Sequence, residues 1–208
     1  MGLFSPDSKF MRAMGRLGDL MVLNLVFLLS CVPLFTVGAA CTALYAVCFR
    51  FDTKAEGPLL KGYFRAFREN FRQATALWLI LLLCGGAAVF DAWLFLRLPV
   101  ALRLLSLVFV LLLVVVLLTA SMVFPLLSQF QNGNRNSLKN ALALSLGYLP
   151  RSLLLTAMAL FPFFVLWRNL LLFFYLGFLW VALYFSATAY LGARILNKVF
   201  EPYREVEP

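Results

Sequence analysis

The chain has 208 residues, of which 63% are hydrophobic and 13% charged, and it carries a net charge of +9 with no histidine. Soluble domains contain about half apolar and about a quarter charged residues, so this composition excludes a soluble protein. It indicates a single membrane domain over residues 1–208. The basic residues lie in short segments between apolar runs. This placement favours loops that set membrane topology over a nucleic-acid surface, so we expect no nucleic acid as a partner.

The first apolar stretch is too long for one perpendicular span. Its length of thirty residues corresponds to about 45 Å of α-helix, whereas the hydrocarbon core is about 30 Å thick. Pro33 lacks a backbone donor, Thr36 is a candidate helix cap, and Gly38 tolerates a turn. These three residues predict a hairpin turn between helices at about 11–32 and 36–51.

The next segment, residues 50–73, holds six of the 18 basic residues of the chain. Four of its cations recur at helical spacing, and its phenylalanines keep a similar period on a neighbouring face. This pattern is typical of a helix that lies on an anionic bilayer surface. We therefore predict a short amphipathic interfacial helix near 60–73 that binds lipid headgroups or docks a protein. The predicted surface consists of Lys61, Arg65, Phe67, Arg68, Phe71 and Arg72.

The distribution of charge decides how the first stretch folds. A hairpin places the N-terminal cations and the 50–73 segment on the same side of the membrane, whereas a single kinked span separates them. The remaining spans are predicted at about 74–96, 102–127, 149–167 and 169–196. The predicted fold is all-α, a polytopic transmembrane bundle of six spans built as three helical hairpins, with five spans as the alternative. The excess of cations on one side predicts that both termini are cytoplasmic.

Small residues mark the faces on which helices approach closely, because lipid provides no hydrophobic drive between helices. Such stripes occur in the second and in the last predicted spans. We expect them to be packing seams within one chain, and the alternative is the interface of a homo-oligomer. The residues are Ala39, Ala43, Ala182, Ser186, Ala189 and Ala193.

Candidates for chemistry are few. Catalysis and ion-coupled transport usually place ionisable residues in the membrane, and the spans contain almost none. Asp91 is the exception, either as a functional carboxylate or as a partner of Arg97 or Arg103 near the membrane surface. The four cysteines lie in apolar segments, and the sequence contains no hydrolase or ATPase motif. We therefore expect no enzymatic activity, no metal and no cofactor.

Several segments of the chain together form a recognisable combination. They are Gly18-Asp19-Leu20, Leu23-Asn24-Leu25, Val32-Pro33-Leu34-Phe35-Thr36-Val37-Gly38-Ala39-Ala40, Thr42-Ala43-Leu44-Tyr45, Phe64-Arg65-Ala66-Phe67-Arg68-Glu69-Asn70-Phe71-Arg72-Gln73-Ala74-Thr75 and Lys139-Asn140-Ala141. These segments resemble the YesL-type family of small bacterial membrane proteins, whose biochemical function is unknown. In that family the genes commonly lie beside carbohydrate importers of the ATP-binding-cassette type. The resemblance therefore implies a location in the bacterial cytoplasmic membrane and a role in saccharide uptake.

Two functions follow from these observations. The first is a non-enzymatic accessory protein that docks on a carbohydrate importer. The second is a carrier or channel for a small, sugar-like solute. A carrier needs a polar, water-accessible cavity between its spans, whereas an accessory protein is expected to have a tightly packed apolar core.

Overall fold

A computed structural model of the chain describes residues 9–51, 58–130 and 132–204, which are helical with no strand among them. The prediction that both termini are cytoplasmic concerns residues 1–8 and 205–208, which lie outside the described residues. The helices are α1 (Lys9–Cys31), α2 (Val37–Arg50), α3 (Leu59–Leu96), α4 (Val100–Arg103), α5 (Leu105–Leu127), α6 (Asn134–Gly147), α7 (Leu149–Arg168), α8 (Leu170–Tyr175), α9 (Gly177–Leu179) and α10 (Phe185–Arg204). A 3-10 helix at Leu34–Thr36 precedes α2, and a π-helix at Trp180–Tyr184 joins α9 to α10.

Five helices of the described part of the chain are long and apolar enough to cross a membrane. They lie at Met14–Cys31, Leu59–Leu96, Leu105–Leu127, Leu149–Arg168 and Gly177–Tyr203. The helix α2 is not among them, because its 14 residues extend only about 21 Å, less than the thickness of the hydrocarbon core. The described part of the chain thus contains five candidate spans, the number of the alternative expectation, and the arrangement of six spans stays a prediction.

The helix α3 joins two elements that the sequence pattern separates. Its 38 residues form one uninterrupted helix of about 57 Å, which includes both the predicted interfacial helix and the predicted span. No glycine or proline lies near the junction at Gln73, so nothing ends the helix there. A helix that continues into the membrane cannot lie flat on its surface over its first half. We call residues 59–73 the basic half of α3 and residues 74–96 the apolar half.

The buried core gathers around α2. Ten of the 14 residues of this helix are buried, because α3, the end of α5 and α10 all pack against it. Phe200 of α10 joins these elements, since its ring centroid lies 5.9 Å from that of Phe49 and 5.6 Å from that of Phe130. The apolar half of α3, by contrast, exposes most of its side chains.

The last predicted span, at 169–196, is divided into short pieces. The side chain of Asn169 accepts a hydrogen bond of 3.0 Å from the backbone amide of Leu172 and so caps α8. The π-helix follows α9, and α10 then continues beyond the predicted end to Arg204. In a π-helix each backbone amide bonds to the carbonyl five residues earlier instead of four, and such turns are rare and often lie at functional sites.

Candidate functional site

The cations of the basic half of α3 face away from the protein. Lys61, Arg65, Arg68 and Arg72 are all exposed. The Nε of Arg65 donates a hydrogen bond of 2.8 Å to Oε1 of Glu69, and both side chains remain more than half exposed. An exposed pair of this kind contributes little to stability, because water and salt screen the two charges. The basic face is therefore a surface feature that stabilises the fold little.

The aromatic residues predicted for the same surface are oriented differently. Phe67 and Phe71 are half-buried and pack against the core, with their ring centroids 5.5 Å apart. Tyr63 is fully buried, and its ring stacks on that of Phe67 at 6.3 Å between centroids. Only Phe64 among these rings is exposed. The predicted cation-aromatic surface is thus split, with cations outside and rings mostly inside.

The hairpin turn predicted at Pro33, Thr36 and Gly38 lies between α1 and α2, but two of these residues act differently from the prediction. The hydroxyl of Thr36 does not cap α2. It donates instead to the backbone carbonyls of Ser30 and Pro33, at 2.5 and 2.6 Å. Gly38 lies inside α2 with ordinary helical geometry, so it does not form the turn.

Gly38 permits a close approach between two helices. A Cβ atom added there would lie 2.5 Å from the backbone oxygen of Ala74 and 2.7 Å from Cβ of Trp78. Glycine is thus the residue that lets α2 contact α3 at this point. The indole Nε1 of Trp78 also donates a hydrogen bond of 2.9 Å to the carbonyl of Leu34, which binds the turn to α3.

The small residues predicted to line packing seams lie mainly in the interior. Ala39 and Ala43 of α2 are fully buried, as are Ser186, Ala189 and Ala193 of α10. The sixth member of the set, the alanine at position 182, is half-buried in the π-helix. These positions belong to contacts within the chain.

Asn24 connects α1 to the π-helix through a set of buried hydrogen bonds. Its Nδ2 donates to the carbonyls of Trp180 and Val181 at 3.0 and 2.6 Å, and its Oδ1 accepts from the amide of Ser186 at 2.9 Å. The side chain thereby bonds to backbone groups of the π-helix and of the first turn of α10. The sequence reveals only a polar residue in an apolar run, which is a weak signal for this role.

A second polar link joins the same two helices nearer their charged ends. The guanidinium of Arg16 donates to the hydroxyl of Tyr190 at 2.8 Å and to the carbonyl of Phe51 at 3.2 Å. The guanidinium of Arg194 lies 4.8 Å from the centre of the Tyr190 ring. The N-terminal part of α1, the end of α2 and α10 therefore meet at a cluster of cations.

Asp91, the predicted polar site, is half-buried on the apolar half of α3. The structure records no ion pair between it and Arg97 or Arg103, because the guanidinium of Arg97 lies 4.2 Å above the ring of Trp93 instead. Within the described residues, no group of three or more His, Cys, Asp or Glu side chains is placed to hold a metal ion. Asp91 therefore stands apart from the other candidate residues.

A cavity of about 640 Å³ lies where the end of α5, helix α6 and the end of α10 meet. Its wall is largely apolar, and amide and phenol groups supply the polar part. The residues that define it are Phe130, Asn132, Asn140, Tyr148, Phe200 and Tyr203. The guanidinium of Arg151 lies 5.2 Å from the centre of the Tyr148 ring. The cavity contains none of the predicted site residues.

Comparison with known proteins concerns the part of the chain that contains α2 and α3. Residues 20–92 match the model of a family described as "Protein of unknown function, DUF624". This segment is similar to a family of unknown function. It includes most of α1, all of α2 and α3 as far as its last turn. Neither a curated protein nor a solved structure matches the chain. The YesL-type assignment and its link to sugar importers stay predictions.

Proposed function

We propose that the protein is a non-enzymatic accessory protein of the bacterial cytoplasmic membrane that acts as an interaction partner in carbohydrate uptake. The observation that carries this proposal is the basic half of α3. Its cations are exposed on one face while its other face is buried against α2. The helix is therefore ordered before any partner binds, and docking requires little loss of conformational freedom.

The sign and spacing of these charges favour a partner with an acidic surface. Lys61, Arg68 and Arg72 recur along a helix whose position is already determined by the core. Complementary charge of this kind increases the rate of association and orients two proteins. A component of a carbohydrate importer with an acidic cytoplasmic face has the chemistry required.

The orientation in the membrane is part of the proposal. Alternate crossings of the membrane would place three sets of cations on the same side. These are the N-terminal cations, the basic half of α3 and the cations of α6 and α10. The positive-inside rule places this side in the cytoplasm, and both termini with it. The docking surface then faces the compartment in which the energy-coupling subunits of an importer work.

The buried polar groups support an accessory protein more than a carrier. Asn24, Thr42, Thr119 and Ser152 form hydrogen bonds to backbone carbonyls of the chain itself. Hydroxyl groups bonded in this way are satisfied and do not line a path for solute. A sugar-like carrier or channel is the second candidate, and the cavity beside α6 is the observation that favours it.

Recovery of partners from native membranes tests the proposal. The tagged protein is extracted in mild detergent, and the importer subunits that accompany it are identified by mass spectrometry. The double variant Arg68→Glu/Arg72→Glu is expected to lose at least nine-tenths of the recovered importer. The matched control is Arg135→Glu/Lys139→Glu, which makes the same change of net charge at exposed positions of α6 and is expected to keep the partner. Protease accessibility of both variants verifies that topology is unchanged.

Two results contradict the accessory role. Equal recovery of importer with both double variants would show that the basic half of α3 is not the docking surface. Failure to recover any importer subunit with the wild-type chain, together with uptake of a radiolabelled sugar by vesicles containing the pure protein, would establish the carrier instead.

A further inference from the structure

The depth of the α1–α2 hairpin can be measured against α3. Its turn is held beside Ala74 and Trp78 by the close approach at Gly38 and by the hydrogen bond from Trp78 to Leu34. Trp78 lies near the middle of α3, and the helix continues for 18 residues, about 27 Å, to its end at Leu96. The hairpin therefore stops far short of the end of α3.

The other end of α2 lies beside the start of α3. A Cβ atom added at Gly62 would lie 3.4 Å from a guanidinium nitrogen of Arg50. Because Gly38 contacts Ala74 and Arg50 contacts Gly62, α2 runs antiparallel to α3 over residues 62–78. The whole of α2 is thus at the level of the basic half of α3 and the first turn of the apolar half.

The charges of α3 show which of its halves lies in hydrocarbon. Arg65, Arg68 and Arg72 are exposed, and an arginine exposed to the hydrocarbon at the centre of a bilayer is costly even on the lowest scales. The basic half must therefore lie in water or among headgroups. The apolar half extends about 34 Å from Ala74 to Leu96, which is sufficient to cross the membrane alone.

The end of the hairpin opposite its turn also indicates a position at the membrane surface. Arg16 of α1 contacts the carbonyl of Phe51 just after α2, and exposed Arg194 lies on α10 where that helix contacts α2. The helices α1 and α10 thus bring cations to the end of the hairpin that is opposite its turn. Cations at this position match the phosphate groups of a bilayer surface.

The turn itself is apolar, and the described part of the chain leaves it uncovered. Leu29, Val32, Leu34 and Phe35 expose 72, 74, 78 and 52% of their surface. They form a contiguous cap beside the point where the apolar half of α3 begins. Hydrocarbon is the partner that this position provides, because the neighbouring helix enters the bilayer there.

We propose that α1 and α2 form a half-membrane hairpin, which inserts its turn at Val32–Phe35 into one leaflet and does not cross the bilayer. Its partner is the acyl-chain layer of the leaflet on the side of the basic half of α3. The length and composition of Met14–Cys31 are those of a span, but helices of this length also lie at membrane interfaces. The hairpin returns the chain to the side on which it began, so the orientation of the later helices is unchanged.

Cysteine labelling tests the depth of the turn. Single cysteines replace Lys61, Leu34 and Leu98 in a chain whose native cysteines are changed to alanine, and each is exposed to a membrane-impermeant maleimide from either side of oriented vesicles. We expect Lys61→Cys to react from one side, Leu98→Cys from the other, and Leu34→Cys from neither. Reaction of Leu34→Cys from the side that labels Leu98→Cys would overturn the proposal, because the hairpin would then cross.

A second measurement covers the case in which the altered chain is poorly folded. Nitroxide labels at Leu34 and at Leu83, which is 72% exposed in the apolar half, are compared for collision with oxygen and with a water-soluble nickel chelate. In vesicles of phosphatidylethanolamine and phosphatidylglycerol, the label at Leu34 should collide with oxygen at least threefold more than a label at Lys61. Its depth should be less than that at Leu83. A label at Leu34 that collides with the nickel chelate as readily as one at Lys61 would contradict insertion.

Discussion

The two halves of α3 show how one continuous helix can present two different surfaces. The basic half buries Tyr63 and Ala66 against the core and exposes charged side chains on its other face. The apolar half packs chiefly against α5 and exposes large apolar side chains such as Leu83 and Phe90. Both halves have the same helical backbone. The two halves therefore differ in the side chains that they expose, which are charged in one and apolar in the other.

A leucine-to-arginine substitution should show the largest difference in energetic cost between the two halves of α3. Leu83→Arg places a charge in the middle of the apolar half and should cost about 2.5–3.5 kcal/mol of insertion free energy. Leu60→Arg adds the same charge to the basic half and should change stability by less than about 0.5 kcal/mol. Protease protection of α3 in vesicles measures the inserted fraction. Similar losses in both variants would mean that the two halves share one environment.

Gly38 provides the next largest effect, because it holds α2 against the junction of the two halves. Gly38→Ala forces a Cβ atom against the backbone oxygen of Ala74 and should destabilise the protein by about 1–3 kcal/mol. Gly86→Ala is the control within the apolar half, since nothing lies within 4 Å of the added atom. Thermal unfolding in detergent compares the two. A midpoint unchanged by Gly38→Ala would show that the helices separate without cost.

Asn24 tests whether α1 is held to the π-helix by hydrogen bonds. Asn24→Leu removes three bonds in the interior and should cost about 1–2 kcal/mol, since single polar contacts between membrane helices contribute about 0.6 kcal/mol. The amide of Ser186 should also exchange its hydrogen faster. Asn136→Leu, at an exposed position of α6, serves as the control and should leave both measurements unchanged.

The smallest effect is expected at the surface of the basic half. Glu69→Ala breaks the ion pair with Arg65 and should lower the midpoint of thermal unfolding only slightly, because both groups are exposed to water. Thermal unfolding at low and at high salt measures this difference, which should disappear at high salt. A larger loss that salt does not affect would indicate that the basic half is partly desolvated.

The placement of helices could be predicted from the sequence to a large extent. Helices lie over all six segments expected to be spans, and Pro33 marks the break after α1. The continuity of α3 was not foreseen, because a change from charged to apolar composition near Gln73 resembles a boundary between two elements. The helix has no reason to stop there, since charged residues such as arginine and glutamate and apolar residues such as leucine and alanine all favour the helix.

The candidate surface could be predicted only in part. The spacing of Lys61, Arg65, Arg68 and Arg72 places these cations on one side of a helix, where the structure has them. The same spacing does not reveal that Phe67 and Phe71 pack against the core, because an aromatic ring is favourable in contact with either lipid or protein. The positions of small residues such as Ala43 are likewise decided by which helix lies opposite.

The sequence alone determined that the chain is helical and rich in membrane-length apolar segments, and that its cations gather between them, because these properties depend on composition and local spacing. Only the tertiary structure decided how the elements lie against one another. The contact of Gly38 with Ala74 places the α1–α2 turn beside the middle of α3, and the bonds of Asn24 join α1 to the π-helix. Such contacts connect residues far apart in the chain, so no local pattern contains them.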